Sequence, residues 1–225
     1  MAELFRVRDL WFAYPGRAPV LRGVDLDLAP GQRLAVTGAN GAGKSTLLWL
    51  LLGLLRPNAG QIEAFGAPRR VEAEFIEVRH RAGLVFQDPD NQLFCPTVLE
   101  DCAFGPLCLG RSRAQALAVV DRTLEQLGLL HLRERITYQL SGGEKRLVSL
   151  AAVLCMEPEV LLLDEPSNGL DETTGERLLC LLKALPQAML LVSHDRAFRE
   201  HLATTGCHLH DGRLIAPPPQ ETQHP

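Results

Sequence analysis

The chain has 225 residues, of which 46% are hydrophobic and 22% are charged, enough to form a globular core. Its 23 basic and 27 acidic residues give a net charge of −4, so the charge balance does not favour a nucleic-acid partner. No apolar run approaches the roughly 20 residues of a membrane span and the first residues form no secretory signal, so we expect no membrane-spanning helix and six reduced cysteines.

The residues before the first glycine-rich loop predict a small antiparallel sheet. Apolar and polar side chains alternate over 4–10 and again over 24–28, a period-two pattern typical of strands with one solvated face. Turn residues at 14–16 lie between these two stretches. A short apolar run at 33–37 then predicts a buried strand that leads directly into the loop.

The loop after this strand matches the pattern G-x-x-x-x-G-K-[ST] of phosphate-binding loops. Its glycines let backbone N–H groups approach phosphate oxygens, because no Cβ blocks them. Lys44 is expected to reach the β- and γ-phosphates, the Ser45 hydroxyl suits Mg²⁺, and a helix predicted over 46–52 points its positive end at the same anion. The predicted phosphate site comprises Gly38, Ala39, Asn40, Gly41, Ala42, Gly43, Lys44, Ser45 and Thr46.

The rest of the chain alternates predicted strands with predicted helices. Apolar runs bounded by turn residues predict strands at 61–65, 82–86, 160–163, 188–193 and, as the last strand, 207–210. Capping boxes predict helices from 112 to about 128 and from 141 to about 156. The segment 88–110 is rich in Pro, Asn, Asp and Gly, and we expect it to be irregular with short helical turns.

This order of elements predicts an α/β fold of the P-loop NTPase type, with a mainly parallel sheet flanked by helices. An N-terminal antiparallel β lobe precedes that sheet, and a helical insertion subdomain is expected at about 90–150. We expect a single domain over 1–216 and a disordered tail over 217–225, which begins with three consecutive prolines.

Polar side chains follow three of the predicted strands, at the edge where doubly wound sheets bind ligands. Asp164 and Glu165 end one strand, and they provide a carboxylate suited to Mg²⁺ and a second one able to polarise a water for attack on a γ-phosphate. Gln87 follows another strand and is expected to reach Mg²⁺ or that water. His194 follows a third, where a neutral imidazole can contact the γ-phosphate.

A second anion site is predicted at the start of the helix that begins at Ser141. Ser141 and Glu144 form a capping box, with Gly142 and Gly143 between them. Glycine at the start of a helix weakens it by up to about 1 kcal/mol per residue. That cost is explained if the bare backbone of the helix N-terminus lies against an anion.

Together these motifs closely resemble the nucleotide-binding subunit of ATP-binding cassette (ABC) transporters, from about residue 4 to residue 212. The motifs that carry the resemblance are the phosphate loop, Gln87, 140–144, 160–165, 167–171 and His194. The resemblance implies ATP and Mg²⁺ as ligands, with Glu165 as the general base and His194 as the γ-phosphate switch. It also implies that Tyr14 stacks on adenine and that Asp171 lies in a loop that crosses a dimer interface.

The same resemblance implies protein partners. Two ATPase subunits, either two copies or this chain and a paralogue, would pack head to tail with each ATP between the phosphate loop of one and the Ser141 helix of the other. They would work with integral membrane subunits, at the cytoplasmic face of the cell membrane. One departure from the family pattern is Glu144, where many members have Gln, although Glu is also common and keeps the capping role.

The segment 85–106 resembles, more narrowly, the ATPases of energy-coupling-factor importers, especially those for cobalt and nickel. Leu93 and Phe94 would then be apolar anchors near the docking groove of a membrane subunit, the alternative being that they fill the core of the helical subdomain. Many relatives in this group carry a further C-terminal dimerisation segment for which there is almost no room here, so we expect the two cassettes to separate more fully without ATP.

The leading interpretation is therefore the ATP-hydrolysing subunit of an importer for a transition-metal ion or another micronutrient. Three alternatives stay open: the ATPase of an exporter, an ATP-switched chromosome or repair protein, and a translation-type cassette protein without membrane partners. The absence of a long heptad run argues against the second alternative, and the presence of one phosphate loop argues against the third. Co-purification with an integral membrane protein would separate the two transport functions from the other two.

Overall fold

The computed structural model describes residues 3–216, and the disordered tail expected over 217–225 lies outside that range. The strands in chain order are β1 (Phe5–Phe12), β2 (Leu21–Leu28), β3 (Arg33–Thr37), β4 (Ala59–Ala64), β5 (Ala67–Pro68), β6 (Ala82–Val85), β7 (Val160–Asp164), β8 (Ala188–Val192), β9 (Thr205–His210) and β10 (Arg213–Ile215). The helices are α1 (Lys44–Leu51), α2 (Glu72–Arg81), α3 (Val98–Cys108), α4 (Arg113–Gln126), α5 (Gly142–Leu154), α6 (Glu172–Ala184) and α7 (Arg196–Leu202).

Four strands form an antiparallel sheet in the order β2-β1-β4-β5, which confirms the predicted N-terminal lobe. Phe5, Val7 and Leu10 of β1 are fully buried, in keeping with the period-two pattern. The alternation breaks at Asp9, which has a φ of 48° and lies at a shift in the strand register. This bulge returns Leu10 to the buried face.

The other six strands form a second sheet in the order β10-β9-β3-β8-β7-β6, in which all but β10 run parallel. This confirms the predicted mainly parallel sheet. The central strands β7 and β8 are buried along their whole length, which explains their continuous apolar runs. The prediction that 207–210 is the last strand is wrong, because Asp211 and Gly212 both have positive φ and turn the chain back into β10.

The two faces of the parallel sheet belong to different apolar clusters. Val160 and Leu162 of β7 pack with side chains of β1, β2 and α1, whereas Leu161 and Leu163 pack with those of α3 to α7. Successive residues of a strand point to opposite faces, so one short apolar run joins both clusters. The polar residues that end this strand are thereby held on a support that is packed from both sides.

The irregular segment expected over 88–110 is wrong from residue 98 onward, where α3 runs for 11 residues. The backbone N–H of Glu100 donates to Oγ1 of Thr97, and the Glu100 carboxylate accepts from the backbone N–H of Thr97. This capping box, together with packing of α3 against α5, outweighs Gly105 and Pro106, which both disfavour a helix. Helices α2, α6 and α7 also add to the predicted set, and no helix within residues 3–216 is long and apolar enough to cross a bilayer.

Candidate nucleotide site

The glycine-rich loop joins β3 to α1 at the carboxyl end of the parallel strands. Gly41 and Gly43 have φ values of 77° and 105°, in the region that glycine adopts without strain. A Cβ on Gly43 would lie 2.5 Å from Cγ1 of Val20, so the loop passes too close to its neighbour for a side chain. The shape of the loop therefore requires both glycines.

The Lys44 ammonium is folded back into this loop. Its Nζ donates to the carbonyl oxygens of Gly38 at 2.9 Å and Ala39 at 3.0 Å, and it lies 3.1 Å from Nε2 of His194. Burial lowers the pKa of Lys44, while the carboxylates of Glu165 and Asp164 oppose that shift. The charge thus lies at the N-terminal end of α1, beside the N–H groups that favour an anion.

Glu165 and His194 meet where β7 and β8 end. Glu165 Oε2 accepts a hydrogen bond of 2.9 Å from the backbone N–H of His194, and Oε1 lies 3.3 Å from Nε2 of the ring. Because the Lys44 ammonium can only donate, Nε2 accepts from it and a neutral His194 ring carries its proton on Nδ1. Glu165 Oε1 accordingly is a buried oxygen with no hydrogen-bond partner among residues 3–216.

Asp164 ends β7 beside the first turn of α1. It is 5% exposed, and its Oδ1 has no hydrogen-bond partner within the described part of the chain. Burial raises the pKa of Asp164, and the neighbouring Ser45 hydroxyl partly opposes that rise. A buried carboxylate oxygen next to a hydroxyl is the kind of oxygen donor set that Mg²⁺ binds, so these residues fit that ion.

A cleft of about 790 Å³ opens above these groups. The predicted site residues that line it are Tyr14, Asn40, Gly41, Gly43, Lys44, Ser45, Thr46, Gln87, Asp164, Glu165 and His194. The Tyr14 hydroxyl lies 3.0 Å from Oγ1 of Thr46, and the Tyr14 ring packs edge-on against Phe12. Three of the predicted loop residues, Gly38, Ala39 and Ala42, are not part of this lining. The carbonyls of Gly38 and Ala39 bind Lys44.

Ser141 caps α5, as the capping box predicts. Its Oγ donates to Oε2 of Glu144 at 2.8 Å and accepts from the backbone N–H of Glu144 at 3.3 Å. The hydrogen bonds from Ser141 lower the pKa of Glu144. Ser141, Gly143, Glu144 and Asp171 do not line the phosphate-loop cleft, and Gly142 lines an adjoining one of about 660 Å³ together with Gln87.

The two glycines of this motif have different surroundings. A Cβ on Gly142 would meet nothing within 4 Å, whereas one on Gly143 would lie 2.9 Å from Cγ2 of Thr174. Asp171 caps α6 and accepts from the backbone N–H of Thr174 at 2.9 Å and from its Oγ1 at 2.7 Å. Gly143 therefore has a packing reason within the chain, and a backbone that faces a ligand stays a prediction for Gly142.

Several residues at the site are missing from the predicted site residues, and two of them concern the chemistry. Asn168 lines both clefts. Arg146 is 3% exposed and donates to the carbonyl oxygens of Phe86 and Gln87. The sequence does contain one indication of a role for Arg146. It lies four positions before the buried Leu150, on the apolar face of α5, where a cation is unexpected.

Residues 21–168 match the family model described as ABC transporter. A Brucella suis protein whose provisional name is ABC transporter ATP-binding protein is 54% identical over 196 residues, which cover 87% of this chain and 82% of that protein. The energy-coupling factor transporter ATP-binding protein EcfA of Methanothermobacter thermautotrophicus is 41% identical over 219 residues, covering 95% of this chain and 70% of EcfA.

Solved structures show the same fold. The structure of cbiO1 from Clostridium perfringens, described as part of the ABC transporter complex cbiONQ, has a TM-score of 0.86 and 33% identity, over 96% of this chain and 88% of cbiO1. A dimeric ATP-binding cassette in a post-hydrolysis state, bound to ADP and Pi, has a TM-score of 0.83 and 25% identity, over 93% of this chain and 96% of that one. With this fold and these relatives, the chain belongs to the ABC transporter family, as an ATP-binding and ATP-hydrolysing cassette.

Proposed function

We propose that two copies of this chain close on two molecules of ATP at composite sites. The phosphate-loop cleft forms one wall of each site, and the start of α5 of the other copy forms the opposite wall. The open space around Gly142 supports this arrangement, because its backbone can approach a phosphate without a clash. The observation that carries the proposal is that Ser141 lies outside the lining of its own phosphate-loop cleft, which leaves its helix N-terminus to act on another ATP.

In such a site Glu165 acts as the general base. Its free Oε1 accepts a proton from the attacking water. A hydrogen bond from Nε2 of His194 to a γ-phosphate requires a proton on Nε2, so in that arrangement the ring changes tautomer when Lys44 turns from it to the phosphates. Ser45, Asp164 and Gln87 would hold Mg²⁺, which neutralises charge on the phosphate oxygens when bound.

We further propose that the cassette energises uptake of a transition-metal ion, cobalt or nickel, or of another micronutrient, through integral membrane subunits at the cytoplasmic face of the cell membrane. The likeness of residues 85–106 to the ATPases of cobalt and nickel importers supports this function. The similarity of the whole chain to EcfA and to cbiO1 supports the importer group.

An apolar cleft of about 460 Å³ along α3 supports docking to a membrane subunit. Its apolar lining includes Leu99, Ala103, Phe104, Leu107, Ala116 and Leu117. At its edge Phe94, which is 67% exposed, packs edge-on against Phe104. Leu93 is half-buried against the helical core, so Phe94 is the better candidate for an anchor, and a helix of the membrane subunit is the proposed occupant.

The docking surface is tested by co-purification with the membrane fraction of the native cell. We expect Phe104→Asp to lower the amount of chain in the membrane fraction at least tenfold. Ile76→Asp is the matched control, because Ile76 on α2 is 46% exposed against 47% for Phe104. Equal association of both variants with the membrane would contradict this docking surface.

The cargo is tested by uptake of radioactive Co²⁺ and Ni²⁺ in cells that carry Glu165→Gln in place of the natural chain. We expect initial uptake of one of these ions to fall at least tenfold, because transport depends on hydrolysis. Unchanged uptake of both ions would reject the proposed metal cargo. If the same cells instead fail to export another solute, the chain is the ATPase of an exporter.

A further inference from the structure

A buried arginine connects two parts of the ATP machinery within one chain. Arg146 lies in the second turn of α5, where Nη1 donates to the carbonyl oxygen of Phe86 at 2.6 Å and Nη2 to that of Gln87 at 2.5 Å. Phe86 and Gln87 follow directly after β6, so the bonds join the helix that begins at Ser141 to the segment that carries Gln87. The bonded residues are 60 and 59 positions apart in sequence, and this contact holds the two segments together.

Packing alone does not explain an arginine at this position. Its neighbours on α5, such as Leu147 and Leu150, belong to an apolar cluster, and Arg146 forms no salt bridge within residues 3–216. Burial lowers its pKa, and the carboxylates of Asp88 and Asp164 only partly oppose that shift. Removing an unpaired cation from water is costly, so the fork-shaped bond to two carbonyls is the interaction that a guanidinium offers here and an apolar residue cannot.

Gln92 forms a second attachment between the same two elements. Its Oε1 accepts from the backbone N–H of Phe86 at 3.1 Å, and its Nε2 donates to the carbonyl oxygen of Ser149 on α5 at 2.8 Å. Lys145 adds an ion pair of 2.6 Å with Asp90. The N–H and the C=O of Phe86 are therefore both held by side chains that tie the segment to α5.

We propose that Arg146 is a positioning residue that makes the Gln87 segment and the start of α5 move as one body. This rests on the composite dimer proposed above, in which Gln87 contacts the ATP of its own copy and the Ser141 helix contacts the ATP of the other. ATP at one phosphate loop would then set the position of the helix that completes the second site. Without Arg146, each segment responds to its own nucleotide alone.

Three variants separate this role from a contribution to stability. Arg146→Met removes both bonds to the carbonyls, and Arg146→Lys keeps the charge without the fork. Gln92→Leu removes the second attachment at a half-buried position, where loss of folding is less of a concern. Arg69→Met is the control at another buried arginine. Arg69 is 8% exposed, donates to the backbone carbonyls of Ala64 on β4 and Glu74 on α2, and also pairs with Glu77.

The first readout is the rate of hydrolysis against ATP concentration, measured on the full chain. Two coupled sites give a Hill coefficient above 1 and at most about 2. We expect Arg146→Met to lower kcat about tenfold or more, since small misplacements of catalytic groups cost up to roughly a hundredfold, and to bring the Hill coefficient to about 1. KM for ATP should change less than about threefold, because the phosphate loop keeps its contacts. The kcat and the Hill coefficient of Arg146→Lys should lie between those of the natural chain and those of Arg146→Met.

The second readout is amide hydrogen exchange in the Glu165→Gln background, with and without Mg-ATP. We expect ATP to protect 38–46, 86–92 and 141–146 together in the parent. Adding Arg146→Met or Gln92→Leu should keep protection at 38–46 and remove most of it at 141–146, while Arg69→Met should change neither. If ATP still protects 38–46 and 141–146 together in the Arg146→Met and Gln92→Leu variants, and the Hill coefficient is unchanged, the positioning role of Arg146 is overturned but the composite dimer is not. A parent that protects 38–46 but never 141–146 would overturn the composite dimer and this inference with it.

Discussion

At the scale of single residues, the site brings three functional side chains together at one ring nitrogen. Nε2 of His194 lies 3.1 Å from the Lys44 ammonium and 3.3 Å from Oε1 of Glu165. Whichever neighbour binds Nε2 decides which ring nitrogen carries the proton. Glu165 also has a φ of 47°, a strained value for a residue with a side chain, as is often found at functional sites.

The buried carboxylate of Asp164 is expected to lower stability at neutral pH. The pKa of Asp164 is raised in the folded state. The contribution of this carboxyl group to stability is therefore fully present below its pKa in the unfolded chain, and it is lost as the pH rises through its pKa in the folded chain. We therefore predict that Asp164→Asn raises the free energy of unfolding in Mg²⁺-free buffer at pH 7 but not at pH 4. Urea unfolding at both pH values measures the difference.

The same substitution should remove function. We expect Mg²⁺-dependent ATP hydrolysis by Asp164→Asn to fall roughly a hundredfold or more, since a bound metal ion contributes several kcal/mol to phosphoryl transfer. Asp211→Asn, at a carboxylate that is 84% exposed, is the control and should change neither property. A lower free energy of unfolding for Asp164→Asn at pH 7 would show that the buried carboxylate stabilises the fold, which contradicts the prediction.

At the scale of elements, two helices with the same cap allow a matched comparison. Ser141 begins α5 and Ser112 begins α4, each with a reciprocal bond from the third residue of its helix. We predict that Ser141→Ala and Ser112→Ala each cost about 1 kcal/mol of stability. Only Ser141→Ala should also slow hydrolysis, by about tenfold or more, because a bond to a charged phosphate is lost.

Thermal unfolding and phosphate release on the purified variants measure both effects. A Tm lower by roughly 2–4 °C is expected for each variant at this chain length. Equal loss of activity in the two variants would mean that the Ser141 cap acts through stability alone.

The glycines of the α5 cap are predicted to respond in opposite ways. Gly142→Ala should stabilise the chain by about 0.5–1 kcal/mol, since alanine favours a helix and its Cβ meets nothing within 4 Å. Gly143→Ala should not give this gain, because its Cβ would lie 2.9 Å from Cγ2 of Thr174. Urea unfolding measures the stability of both variants. If the backbone at 142 faces a ligand, Gly142→Ala should also hydrolyse ATP more slowly despite its higher stability.

A similar gain in stability from both alanine variants would contradict the packing of Thr174 against Gly143. Thr174→Ser together with Gly143→Ala is the control, because it removes Cγ2 and should restore part of the gain.

The elements differ in how well local sequence predicts them. The strands β3, β7 and β8 are buried on both faces, so their apolar runs are visible in the sequence. Capping boxes likewise predict α4 and α5. Helix α3 also has a capping box, at Thr97 and Glu100, but its Gly105 and Pro106 favour a loop. The cap together with packing of α3 against α5 outweighs them. Local preference cannot anticipate such packing.

At the scale of the whole molecule, contacts between distant segments are the part that the sequence could not provide. The phosphate loop, Asp164, Glu165 and His194 follow predicted strands, so a parallel sheet brings them to one edge. No local pattern predicts that Arg146 binds Phe86 and Gln87, because that contact depends on how α5 packs against the end of β6. The space around Gly142 likewise depends on the surrounding fold.

We propose that ATP joins two copies of this chain through the phosphate loop of one and the Ser141 helix of the other. The most direct measurement is the mass in solution of Glu165→Gln with and without Mg-ATP, compared with Glu165→Gln combined with Ser141→Arg. We predict that Mg-ATP doubles the mass of the single variant, while the double variant binds ATP and keeps the mass of one chain. A single variant that binds Mg-ATP without doubling its mass, or a double variant that doubles its mass equally, would contradict ATP-driven pairing through the Ser141 helix.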